Sequence, residues 1–162
     1  MPRRAVKTAT EGARSSTEVG LDKVGHFLRL LWSLDHELRS MSKRMEARHG
    51  VTGPQRFALR MLGLAPGLGA GDLAELLQLH PSTLTGILQR LEASGLVRRA
   101  TDPRDTRRIS LQLTPAGRKI DTLQAGTVEV AVRRALRKRR KKELDGARAV
   151  LVSLVAELRS EE

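Results

Sequence analysis

Residues 73–118 read LAELLQLHPSTLTGILQRLEASGLVRRATDPRDTRRISLQLTPAGR, and the order of periodicities in this stretch decides the fold. Leu73, Leu76 and Leu77 mark a short helix. After the turn Gln78-Leu79-His80, Pro81 opens a second helix in which Leu84, Ile87, Leu88 and Leu91 fall at i, i+3, i+4 and i+7. Gly95 stops it. A short strand over Leu96–Ala100, a polar loop and the alternating Ile109, Leu111 and Leu113 then predict a hairpin. Thr114-Pro115 caps the helix that follows. Two short helices joined by a tight turn and followed by a basic two-stranded hairpin form the pattern of a winged helix-turn-helix.

Upstream of this stretch, residues 1–20 mix Arg, Lys, Ser, Thr and Gly without an apolar period and read as a disordered basic arm. From Asp22, the residues Phe27, Leu31, Leu34, Leu38, Met41 and Met45 predict a long amphipathic helix to about Arg48, ended by Gly50. Thr52, Gly53, Pro54 and Gln55 read as a capping box that starts a helix to about Leu64. The helix at Leu73 lacks a Ser or Thr cap. Downstream, a fifth helix is expected from Pro115 to roughly Lys142 through Ile120, Leu123, Val128 and Leu136. A sixth carries Leu144, Ala147, Leu151, Leu154 and Leu158 on a heptad-like stripe. The expected fold is therefore mainly α, with six helices and a two-stranded β wing. Its segments are an arm at 1–20, a dimerisation helix at 21–50, a winged DNA-binding domain at 51–114 and C-terminal dimerisation helices at 115–162.

Composition narrows the partner. Thirty Lys and Arg against 18 Asp and Glu give a formal net charge of +12, beyond what solubility needs, so a polyanion is implied. No window holds the roughly twenty apolar residues of a membrane span, and the N-terminus has no signal-peptide core, so a cytoplasmic protein is expected. The absence of cysteine removes disulfides, Cys-type zinc sites and thiol sensing. With Phe27, Trp32 and Phe57 as the only aromatic residues, stacking platforms for single strands are scarce, which favours duplex DNA.

At about 100° per residue, the helix opened by Pro81 sets Ser82, Thr85, Gly86, Gln89, Arg90 and Ala93 opposite its apolar stripe. That face is small, polar and positive, and so fits a major groove where Ser, Thr, Gln and Arg reach phosphates and base edges. The plainer reading is an ordinary solvated face. Between the strands, DPRDTRR (102–108) carries three arginines. Arg104, nearest the tip, suits a narrow minor groove, while Arg107 and Arg108 suit phosphates or pairing with Asp102 and Asp105. The plainer reading here is an exposed turn laced with salt bridges.

The run Leu73–Arg118, with its Asp-x-Arg-Asp wing motif, resembles the MarR family's helix-turn-helix and wing, and PQRFALRML (54–62) is similar to that family's second helix. The resemblance covers about residues 21–160. It implies an obligate homodimer, pseudo-palindromic duplex sites and repression relieved by a small-molecule effector. Carried over position by position, it assigns DNA contacts to Ser82, Thr83, Thr85, Gln89, Arg90, Arg104 and Arg107. Gly86 departs from the family, many members of which have Arg or Lys there. Family effector pockets imply contributions from Trp32, His36 and Arg56, for which core packing is the plainer role.

The apolar stripes of the first, fifth and sixth helices exceed what the winged domain covers, which independently points to a two-fold dimer, the alternative being closure into a monomeric core. The run RRALRKRRKK (133–142) is the densest charge cluster; the resemblance implies a place at the turn between helices five and six, remote from the duplex under the reading helices, which leaves it to widen the attractive field, bind an acidic partner or form a solvated face. A sequence-neutral architectural DNA coater is the main rival reading, because charge alone would satisfy it. An enzyme is a weaker rival. His36-Glu37 begins a zincin-like pattern in which Ser40 replaces the second His, and Ser40-Met41-Ser42-Lys43 matches a Ser-x-x-Lys nucleophile without its companion motifs. His26, His36, His49 and His80 are scattered and read as packing or surface residues, so neither a catalytic set, a metal site nor a cofactor is expected.

Overall fold

A computed structural model of the chain describes residues 21–102 and 105–161, with backbone alone at 102 and 105–108. The described residues form α1 (Lys23–His49), α2 (Gly53–Leu64), α3 (Ala70–Leu77), α4 (Pro81–Ala93), β1 (Val97–Asp102), β2 (Asp105–Leu113), α5 (Pro115–Asp121), α6 (Val128–Leu136) and α7 (Lys141–Ser160). The chain divides inside α1 into one compact unit ending at His36 and another running Glu37–Glu162.

Local chemistry sets most boundaries. Thr52 Oγ1 accepts from Gln55 N while Gln55 Oε1 accepts from Thr52 N at 2.8 Å, the reciprocal capping box expected for α2. The missing cap of α3 is supplied from inside the helix, where Asp72 Oδ2 accepts from Gly69 N at 3.2 Å. Thr114 Oγ1 caps α5 by accepting from Gly117 N at 3.0 Å. Gly50 and Gly95 sit at φ +70° and +66°, the left-handed conformation in which glycine closes α1 and α4 without a Cβ penalty.

The core of the second unit gathers Leu59 of α2, Leu73 of α3, Leu84, Leu88 and Leu91 of α4, and Leu111 of β2, all essentially excluded from water. Each fully buried leucine stabilises the fold by about 1.5–3 kcal/mol relative to exposure. β1 and β2 pair antiparallel from Val97 with Leu113 to Thr101 with Ile109, and the register is irregular between Thr101 and Asp102. Leu111 N donates to Leu68 O at 2.8 Å, which ties the hairpin to the α2–α3 loop.

Two expectations need correction. The single fifth helix to Lys142 is broken into α5 and α6, so the described residues hold seven helices rather than six. Gly126 at φ +73° ends the interruption, and buried Thr127 restarts the helix by accepting from Val130 N at 3.3 Å. The apolar spacing from Ile120 to Val128 is compatible with a helix but does not register these two residues. The wing strands also run to Asp102 and from Asp105, so Arg107 and Arg108 lie in β2 rather than in a loop spanning 102–108.

Candidate functional site

The position of α4 follows from which of its side chains are trapped. Leu84, Leu88 and Leu91 are each about 1% exposed, so one face is held in the core and the opposite face is presented to solvent. Ser82, Thr85, Gln89, Arg90 and Ala93 are exposed there, as the spacing predicts, and Thr83, assigned by the family resemblance, is exposed at the edge of that face. Gly86 is half-buried, and a Cβ built on it would meet nothing within 4 Å. The face is smooth at that point because the side chain is missing, not because a neighbour forbids one.

Hydrogen bonds divide this set. Thr85 Oγ1 donates to Pro81 O at 2.8 Å, and Ser82 Oγ lies 2.7 Å from His80 Nδ1. His80 Nδ1 also accepts from Ser82 N at 3.3 Å, so the imidazole caps α4. Sequence reading treats His80 as a surface or packing residue and misses this role, although a polar residue directly before Pro81 is the available signal. Among the described residues, the Thr83, Gln89 and Arg90 side chains make no hydrogen bond or ion pair, which leaves their donors and acceptors for a partner.

The hairpin beside α4 is tied to it. Arg99 Nε pairs with Glu92 Oε1 at 2.8 Å and joins β1 to α4, while Arg98 Nη2 donates to Gln112 Oε1 across the strands. Arg104 lies outside the described residues, as do the side chains of Arg107 and Arg108 and their expected pairing with Asp102 and Asp105. The turn before α4 is held by Gln78 at φ +53°, with Leu79 N donating to Ala74 O at 3.0 Å. Arg159 Nη2 of α7 donates to Gln78 O at 3.0 Å.

A second feature lies in the same unit. Arg56 on α2 is 3% exposed, and its Nη2 donates to Asp121 O at 2.7 Å and to Leu123 O at 3.2 Å. Its Nη1 stands 3.3 Å from Glu129 Oε1 and 3.7 Å from Asp121 Oδ1, which also receives Arg60 Nη1 at 3.3 Å. The guanidinium therefore fastens the α5–α6 connection to α2. Fastening is incomplete, because Arg56 Nε and Nη1 and Glu129 Oε1 are buried without an aligned hydrogen bond. The 3.3 Å contact is thus charge attraction in poor hydrogen-bond geometry.

Arg56 and Glu129 also line a cavity of about 650 Å³ whose wall is otherwise largely apolar, with Leu38, Met45, Phe57, Leu77 and Val132. Arg56, weighed above as a pocket or a core residue, is both buried and cavity-lining. Trp32 and His36 are exposed on α1. In the Ser-x-x-Lys match, Ser40 Oγ accepts from Arg44 Nη1 at 2.7 Å, and the intervening Ser42 Oγ accepts from Gly53 N at 2.8 Å. Among the described residues, no three His, Asp or Glu side chains converge on a metal-sized site.

Comparison with known proteins agrees with this architecture. The MarR family model matches residues 49–108, which takes in α2, the helix-turn-helix and most of the hairpin. The chain is 39% identical over 88 residues to the HTH-type transcriptional regulator TtmR of Methylorubrum extorquens, a match spanning 54% of this chain and 45% of TtmR. A putative transcriptional regulatory protein for the hcr operon of Thauera aromatica is 30% identical over 121 residues, covering 74% of this chain and 70% of that one. The S. aureus MepR–DNA complex superposes with a TM-score of 0.68 at 22% identity, over 85% of this chain and 99% of MepR, and so shares the fold. With the helix-turn-helix, the hairpin and the flanking helices in matching order, the chain belongs to the MarR family of transcriptional regulators.

Proposed function

We propose that the chain is a cytoplasmic, non-catalytic repressor that binds pseudo-palindromic duplex DNA as a homodimer and is released by a small-molecule effector. The observation that carries this reading is the exposed polar face of α4, fixed from behind by three buried leucines and flanked by a hairpin tied to it through Arg99 and Glu92. A helix held that firmly presents Gln89 and Arg90 to the major groove with little ordering cost, and both side chains match base edges. Ser82 and Thr85 have hydroxyls already partnered beside or within α4, and each donates a single bond to a phosphate oxygen by turning away from that partner. Arg104 is assigned to the minor groove and Arg107 and Arg108 to the flanking phosphates.

Two such subunits related by a two-fold axis set their reading helices about one DNA turn, roughly 34 Å, apart, which makes the favoured site a near-palindrome. The cavity at Arg56 supports the effector. Residues of α1, α2, α3 and α6 all line it, so a guest that prefers one arrangement of these helices would shift the reading helices through that preference.

The test is selection of bound fragments from a genomic DNA library, followed by competition. Enriched fragments sharing an inverted repeat, and preference over unrelated duplex by ~10³-fold or more, are expected. Binding without preference would replace this reading by a sequence-neutral coater. Arg104→Ala is expected to weaken binding and relax discrimination at the flanks of the repeat, and an unchanged footprint would remove the wing assignment.

A further inference from the structure

The reading face uses little of the protein's charge. Eight of the ten residues 133–142 are Arg or Lys, in a chain whose formal net charge is +12. They run through the last turn of α6, a four-residue turn and the first turn of α7, and every one of them is exposed. Among the described residues, only Arg140 and Lys141 have acidic partners, Glu143 at 3.6 Å and Asp145 at 2.9 Å, and both pairs are open to solvent. Among the described residues, no carboxylate pairs with Arg134, Arg137, Lys138, Arg139 or Lys142. Two of these residues do something for the fold, since cations in the last turn of α6 complement its dipole.

We propose that the α6–α7 turn is a second, sequence-neutral contact for the phosphate backbone of duplex DNA, separate from the α4 reading face. Charge complementarity selects the polyanion. Five of the eight cations are arginines, whose planar forks match phosphate oxygens, and Leu136 is the one large apolar side chain in the run, too little for insertion into a membrane. No residue of the turn belongs to the helix-turn-helix or the hairpin, so the contact adds to specific binding without altering which bases are read. The consequence is a regulator that holds a flanking or second duplex while its reading helices occupy a site.

The proposal does not depend on α4 being specific, and the test keeps the two apart by using a random-sequence duplex of about 30 base pairs. The full chain is compared with the exposed-turn variant Arg137→Gln/Lys138→Gln/Arg139→Gln and with Arg137→Lys/Arg139→Lys, which retains charge. Each lost phosphate contact should flatten the plot of log affinity against log salt by about 0.9, and weaken binding at 0.1 M salt roughly five- to tenfold. The glutamine variant is expected to lose two or three such contacts per subunit, while the lysine variant keeps them. Preference for a selected site over random duplex should survive the glutamine change. Unchanged affinity and slope in the glutamine variant would overturn the proposal. So would vesicles rich in phosphatidylglycerol that bind the parent and not this variant while the affinity for random duplex stays the same.

Discussion

Arg56 shows how one side chain can hold a structure together and leave it adjustable. Its guanidinium bonds the backbone carbonyls of Asp121, at the end of α5, and Leu123, just beyond it, and faces two carboxylates, Asp121 and Glu129, of which Glu129 remains partly open to water. Removing the cation leaves both acids near each other in a poorly solvated place. Arg56→Met is therefore expected to destabilise by about 2–3 kcal/mol, somewhat less than for a fully buried pair because of that opening, as read from the denaturation midpoint. Arg56→Lys should recover little, because an ammonium on a single stem cannot replace a fork that reaches both carbonyls. Equal stability of the methionine variant and the parent would show that the network contributes nothing. Gly86 presents the opposite case. Nothing within 4 Å opposes a side chain there, so Gly86→Ala should stabilise α4 by about 0.5–1 kcal/mol through helix propensity. If close backbone approach to DNA is its purpose, the same variant binds DNA more weakly despite being more stable. If affinity is unchanged, the glycine has no role in recognition.

The elements are joined where a side chain would not fit. A Cβ on Gly117 would lie 2.0 Å from the carbonyl oxygen of Leu96, so the first turn of α5 packs backbone to backbone against the base of the hairpin. Thr114 closes the same junction, with its Oγ1 2.7 Å from Gly95 O and its N donating to Leu96 O at 3.1 Å. Gly117→Ala must move α5 or the hairpin, and overpacking of this kind costs about 1–3 kcal/mol or more. Thermal unfolding measures that, and a melting temperature equal to the parent's would refute the close contact. The hairpin itself was legible in advance, because the alternation of Ile109, Leu111 and Leu113 and the Thr-Pro after it are local signals. The α2 capping box and the leucines of α4 were legible for the same reason. The break between α5 and α6 was not, since Gly126 and Thr127 act through backbone dihedral and a buried hydroxyl, neither of which carries hydropathy. Nor was the Arg56 network, which joins residues 65 and more positions apart. His80 was missed because its value lies in one ring nitrogen held near Ser82, and a lone histidine carries no pattern.

At the scale of the whole molecule, each unit leaves apolar surface that its own core does not use. In the unit ending at His36, Phe27, Leu30 and Trp32 are exposed, with Trp32 at 68%. In the other, Val150, Leu151, Val155 and Leu158 of α7 are exposed, and no residue of α7 is buried. Side chains of this size on two long helices are an expensive way to meet water, at about 25 cal/mol per Å² of apolar area. In the proposed homodimer, pairing with a second copy would remove that cost and couple stability to association. Thermal stability should then rise with protein concentration, as it does for any native state defined by mass action. A double change on α7, Leu151→Lys/Val155→Lys, introduces like charges on both sides of a two-fold interface. It should shift the protein to monomer in sedimentation and erase the concentration dependence. Because a near-palindrome rewards two linked reading helices, the monomer should bind a selected site at least ~10²-fold more weakly. Its residual affinity should still distinguish a correct half-site from a scrambled one, because α4 and its buried leucines are untouched. A variant that stays dimeric in sedimentation would mean that α7 is not the covering surface.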